Sequence, residues 1–161
     1  MKLVASFFGV GYLRPAPGTW GSLAALPVAY ALLLAGGVWL LLLATVLTTV
    51  LGFIATRRVI AGQKDHDPSW VVIDEVVGQW IALLPVGYGA TMMGGDPLRL
   101  YPGWIAAFVL FRLFDIRKPW LVGRADRMGG AFGVMLDDVI AGIFAAIVGS
   151  LLAGLAHGVL M

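Results

Sequence analysis

Residues 15–56 read PAPGTWGSLAALPVAYALLLAGGVWLLLLATVLTTVLGFIAT, a run without one charged side chain. As a single helix it would be roughly 60 Å long at 1.5 Å per residue, about twice the hydrocarbon thickness of a bilayer. The run therefore has to fold back, and Gly36-Gly37 is its natural break. This predicts a first apolar segment near 20–35, containing Pro27, and a second near 38–56. Working outward, a third segment lies near 75–93, interrupted by Pro85 and several glycines. A fourth occupies about 102–117 and a fifth about 139–160.

The rest of the composition agrees. Of 161 residues, 60% are hydrophobic and 12% charged, against about 45–50% and about 25% in soluble domains. So little charge cannot clothe a soluble globule, and so much apolar surface excludes disorder. Cysteine is absent, which removes disulfides, thiolate metal sites and cysteine nucleophiles. A net charge of +2 is too small to argue for nucleic acid. The expected fold is all-α: a polytopic membrane helix bundle of about five membrane-associated helices, forming one domain over 1–161. The N-terminal MKLVASFFGVGYLRPAPG loosely fits a signal peptide. Arg14 and two prolines stand where small cleavage-site residues belong, so it reads as retained.

With five crossings, 1–19, 57–74 and 118–138 share one side of the membrane. Lys2, Arg14, Arg57, Arg58, Lys64, Arg117, Lys118, Arg124 and Arg127 fall there, and only Arg99 falls opposite. The positive-inside bias makes the rich side cytoplasmic. A re-entrant 20–35 segment would instead put the N-terminal tail across the membrane.

The acids gather on the same side, all except Asp96. Asp74-Glu75 and Asp137-Asp138 form adjacent pairs, each expected at the start of an apolar helix. One acid in a first turn is ordinary capping. The second of each pair points about 100° away and needs its own partner. A divalent cation between the two helices would serve both pairs, and oxygen ligands favour Mg²⁺, with Mn²⁺ or Ca²⁺ behind it. Gly78 and Gly142 each stand four residues after an acid, leaving room for a ligand or for close helix packing. The neighbouring segments hold groups suited to anions. Gly18-Thr19-Trp20-Gly21-Ser22 offers backbone N–H groups and a helix cap. Arg112 and Asp115 can pair at i, i+3, with Lys118 at the helix exit. Arg124–Gly133 reads as a charged loop ending in glycines. Together these point to a metal-dependent site for a phosphorylated headgroup.

Five motifs in order complete the picture: Gly18-Thr19-Trp20-Gly21-Ser22, Asp67-Pro68 leading to Val72-Ile73-Asp74-Glu75-Val76-Val77-Gly78-Gln79-Trp80, Phe111-Arg112-Leu113-Phe114-Asp115 with Lys118-Pro119, Asp126-Arg127 with Gly129-Gly130-Ala131-Phe132-Gly133, and Asp137-Asp138-Val139-Ile140-Ala141-Gly142. In this order and spacing the chain resembles the bacterial phosphatidylglycerophosphatase A family over about 9–148. The resemblance implies an inner-membrane, Mg²⁺-dependent lipid phosphatase that converts phosphatidylglycerophosphate to phosphatidylglycerol and inorganic phosphate. On that expectation Asp74, Glu75, Asp137 and Asp138 hold one or two Mg²⁺, with Asp67 as a further ligand. Asp74, Glu75, Asp138, Lys118 and Arg127 form the catalytic set. Lys118 and Arg127 stabilise charge on the phosphoryl group. Gly18, Thr19, Gly21 and Ser22 donate around the substrate, and Arg112 borders it while pairing with Asp115. Glycine-rich faces permit a homo-oligomer without requiring one.

Other readings fit less well. Asp65-His66-Asp67-Pro68-Ser69 mimics an aspartyl-phosphate nucleophile motif, but that motif belongs at the end of a buried strand in an α/β fold. A CDP-alcohol phosphotransferase lacks the first half of its aspartate motif here. A histidine-nucleophile lipid phosphatase finds His157 at the far helix end and His66 without the flanking arginines. A transporter or channel would want ionisable groups at the midplane. A purely structural subunit would leave the doubled acids unexplained.

Overall fold

The computed structural model describes residues 1–61 and 68–160, the last four by backbone alone. Its elements are α1 (Lys2–Ala5), a 3₁₀ turn (Val10–Tyr12), α2 (Pro17–Ile60), α3 (Ile73–Met93), a second 3₁₀ turn (Pro97–Leu100), α4 (Tyr101–Arg117), α5 (Leu121–Asp126) and α6 (Gly130–Leu160). No strand occurs among the described residues. The fold is all-α.

The long uncharged run folds back where its glycines stand. Gly37 has φ 62° and ψ −161°, a conformation that a side chain would resist. The turn is tied to the end of α3, where the amide of Val38 donates to Thr91 Oγ1 at 2.9 Å. The two arms of α2 then run along α3 in opposite directions. On the first arm Gly21 sits on Val72, and the Trp80 indole donates to the Ala25 carbonyl at 2.9 Å. On the second arm Leu41 reaches Gly87, and Gly52 meets Ile73 and Met135. Pro27 and Pro85 both remain inside helices.

α4 runs antiparallel to α3, with Gly103 against Val86 and Phe111 against Gly78. α6 crosses α3 at Gly142 and Gly78, where a Cβ on Gly142 would overlap the Gly78 carbonyl. Phe114 and Phe144 bring α4 onto α6 with ring centroids 5.8 Å apart. Five helical rods thus stand side by side. The starts of α2, α3 and α6 and the ends of α2 and α4 share one end of the bundle. The buried core holds Ala25, Leu33, Leu41, Trp80, Leu83, Trp104 and Phe111. The outside is apolar as well: Leu34, Trp39, Leu43, Val46, Leu47, Ile147 and Leu151 are exposed. That is the surface of a protein whose solvent is hydrocarbon. Three helices are long and apolar enough to cross a membrane: Pro17–Ile60, Ile73–Met93 and the stretch Gly130–Ala156 of α6. α4 has 17 residues, about 25 Å at helical rise.

Two boundaries differ from the sequence reading. Residues 18–22 form the opening of α2 rather than a loop before it, because Pro17 occupies the first turn, where its fixed φ suits a helix start. α6 begins at Gly130, not near 139. Gly129 and Gly130, at φ 66° and 63°, provide the reversal, and Ala131–Leu136 continue as helix. Asp137 and Asp138 therefore lie two turns inside α6, and capping does not account for them.

Candidate active site

The site forms where four helices meet at one end of the bundle. Asp74 and Glu75 come from the first turn of α3, and Asp138 comes from the third turn of α6. The Gly78–Gly142 crossing lies one turn deeper and draws the helices close enough for the acids to meet. One oxygen from each of Asp74, Glu75 and Asp138 lies within 4.8 Å of the others. Asp74 and Asp138 are buried, at 6% and 3% exposure. Glu75 Oε2 and Asp138 Oδ1 are enclosed without a hydrogen-bond partner. Burying carboxylates together is costly unless a cation compensates them. Three oxygen donors, two of them with open lone pairs, fit a hard divalent ion.

Beside the carboxylates lies a cavity of about 200 Å³, lined by Ala16, Pro17, Gly18, Ser69, Val71, Asp74, Glu75, Arg112, Asp115, Lys118 and Asp138. Gly18 leaves the room that Glu75 Oε1 occupies, since a Cβ there would displace that carboxylate and approach Arg112 Nη1 to 3.3 Å. The start of α2 also leaves the Gly18 and Thr19 amides without intrahelical acceptors. Arg112 Nη1 touches Asp115 Oδ2 at 2.5 Å. Arg112 Nε is enclosed with no hydrogen-bond partner, and Nη1, in its ion pair with Asp115, has a second N–H left over. The wall thus offers a guanidinium with N–H groups to spare, suited to an oxyanion.

Lys118 is held differently. It follows α4 in a left-handed conformation, φ 45°, and its ammonium donates to Asp137 Oδ2 at 2.9 Å and to Asp126 Oδ1. Burial alone would lower its pKa, but the hydrogen bonds and charges of Asp126 and Asp137 outweigh burial and raise it above the ordinary lysine value. The ammonium therefore stays charged at neutral pH.

Of the residues singled out in the sequence, the structure brings Asp74, Glu75, Asp138, Gly18, Arg112 and Lys118 around this cavity. Asp137 stands next to the cluster but outside it: its Oδ2 takes Lys118 and its Oδ1 accepts the Asp138 amide at 3.0 Å. Thr19, Gly21 and Ser22 do not line the cavity. Gly21 packs on Val72, and the Ser22 hydroxyl donates to the Gly18 carbonyl at 3.0 Å. Arg127 is exposed and does not line the cavity either. Asp67, with Asp65 and His66, lies outside the described residues. Ser69 and Asp115 line the cavity without having been assigned to it from sequence. Asp115 carried a signal in its i, i+3 spacing from Arg112, whereas Ser69 appeared only as the last position of the rejected nucleophile motif.

Comparison with known proteins agrees with this geometry. The family model described as phosphatidylglycerophosphatase A matches residues 3–153. A phosphatidylglycerophosphatase A of Haemophilus influenzae is 40% identical over 149 residues, covering 92% of this chain and 85% of that protein. A protein of Bacteroides thetaiotaomicron, named provisionally as a phosphatidylinositol-3-phosphatase, is 39% identical over 149 residues, 90% of this chain and 88% of its own. The phosphatidylglycerophosphatase A of Escherichia coli is 35% identical over 147 residues, 89% of this chain and 78% of its own. No solved structure matches the chain. With the match spanning nearly the whole chain, and every motif in place, the protein belongs to the phosphatidylglycerophosphatase A family and is a phosphatase.

Proposed function

We propose that the protein removes the terminal phosphate of phosphatidylglycerophosphate in a Mg²⁺-dependent reaction at the cytoplasmic face of the bacterial inner membrane, yielding phosphatidylglycerol and inorganic phosphate. The observation that carries this reading is the close set of Asp74, Glu75 and Asp138 facing Arg112 and Lys118 across one cavity at a bundle end. The names of the Haemophilus and Escherichia relatives support the substrate. The concentration of Lys and Arg at the same bundle end supports the cytoplasmic orientation.

The acyl chains remain in the bilayer while the phosphomonoester enters the cavity. Asp74, Glu75 and Asp138 would hold the cation. When bound, it neutralises phosphate oxygens and lowers the pKa of a water molecule. Arg112 directs its open N–H groups at the phosphoryl oxygens, and the Gly18 amide at the start of α2 adds a donor. Lys118, kept charged and fixed by Asp126 and Asp137, contributes positive charge at the cavity wall. A water oxygen bonds to phosphorus as the phosphorus–glycerol oxygen bond breaks; the water gives up one proton, and the leaving glycerol oxygen takes one up through solvent, so that glycerol hydroxyl and inorganic phosphate result. Asp137 acts on this centre through Lys118.

A second substrate is favoured by one finding, the name of the Bacteroides relative. Phosphate release by the purified protein in bilayer discs, with Mg²⁺ and equal mole fractions of either lipid, separates the two. The expected result is a kcat/KM for phosphatidylglycerophosphate at least about tenfold above that for phosphatidylinositol 3-phosphate, a gap of about 1.4 kcal/mol. Equal or reversed preference would overturn the substrate assignment.

A further inference from the structure

Gln79 is completely buried, and neither end of its amide has a hydrogen-bond partner. In a helix face otherwise built from Val76, Leu83 and Val86, an amide with both halves unmatched is unfavourable and calls for a partner. One is available a turn away. Glu75 precedes Gln79 by four residues on α3, so their Cβ atoms lie about 5–6 Å apart on the same face. Glu75 Oε1 lies against Gly18 at the cavity, and Glu75 Oε2 is a buried acceptor without a donor. Gln79 Nε2 is a buried donor without an acceptor. The two open groups are complementary in chemistry and neighbours in the helix.

We infer that Gln79 is the positioning residue for Glu75: the two groups stand open in this structure, and with a cation bound Nε2 donates to Glu75 Oε2 and holds the carboxylate with Oε1 toward that cation. The inference rests on the proposed metal site and deepens it. Hydrogen bonds to a ligating carboxylate fix its orientation, and their loss typically weakens metal binding tenfold to a hundredfold. Gln79 does not line the cavity, so it acts through Glu75 and not on the substrate.

The test compares the full-length protein with Q79M, which keeps chain length and removes the amide, using Mn²⁺ as an electron-spin-resonance probe of binding. Q79M is expected to bind Mn²⁺ about 10- to 100-fold more weakly. Without metal it should unfold at the same temperature or higher, because two unmatched polar atoms have gone. Excess metal should restore its turnover. In an E75A background, Q79M should weaken Mn²⁺ binding no further. Equal Mn²⁺ affinity in Q79M and wild type overturns the inference while leaving the metal site standing. A Q79M protein that fails to fold, or unfolds several degrees lower without metal, also overturns it by making Gln79 a packing residue. If the wild type binds no Mn²⁺, the metal site itself falls, and Gln79 with it.

Discussion

Arg112 shows how single side chains divide the work of the site. Its Nη1 pairs with Asp115 while its buried Nε–H has no acceptor, and both residues line the cavity. Lysine would keep the charge but lose the planar fork that meets a phosphoryl group on two oxygens. R112K should therefore lower kcat/KM about 10- to 100-fold, or about 1.4–2.7 kcal/mol, with the protein still folded. Unchanged kinetics would mean that Arg112 does not touch the phosphate. The pairing of Arg112 with Asp115 was legible because it is local, three residues along one helix. The partners of Lys118 were not. Asp126 and Asp137 reach it through the short α5 and the entry to α6, and nothing in sequence spacing fixes where those turns bring their carboxylates.

The doubled acids are resolved at the scale of the helix. Adjacent residues point about 100° apart, so one member of each pair had to find a separate partner. Which member faces α3 follows from the rotation of α6, and that is set by Gly142 lying on Gly78. Asp138 and Gly142 are four apart, as are Asp74 and Gly78, so the stripe that packs the helices also aims the acids. That stripe was readable in the sequence. The start of α6 was not, because the acids looked like a boundary while two glycines farther upstream form the reversal. The crossing gives a direct prediction. A Cβ at Gly142 would overlap a backbone carbonyl that cannot rotate away, so G142A should cost about 1–3 kcal/mol, read as a lower midpoint of thermal unfolding in detergent. Because the helices must part, Asp74 and Asp138 separate, and activity should fall even at temperatures where G142A is folded. A G142A protein with wild-type stability and turnover would show that the helices do not depend on this contact.

For the whole molecule, the scarcity of charge is its most informative property. The rods expose leucines and valines along their length, while Arg57, Arg58, Arg117, Lys118, Arg124 and Arg127 gather at the end that carries Asp74, Glu75 and Asp138. Apolar length and one-sided charge were both visible in the sequence, since each depends only on order along the chain. The meeting of α2, α3, α4 and α6 around one cavity depends on tertiary packing and had to be seen. The same end of the bundle then serves three needs: carboxylates for a cation, donors for a phosphate, and proximity to the headgroup layer, where a lipid substrate presents its phosphomonoester. The decisive measurement is phosphate release from phosphatidylglycerophosphate in sealed membrane vesicles of both orientations, with EDTA and then excess Mg²⁺ added outside. In inside-out vesicles, EDTA should stop release and Mg²⁺ should restore it, while right-side-out vesicles respond to neither. Release that continues under EDTA in inside-out vesicles, or that EDTA stops only in right-side-out ones, would contradict the account.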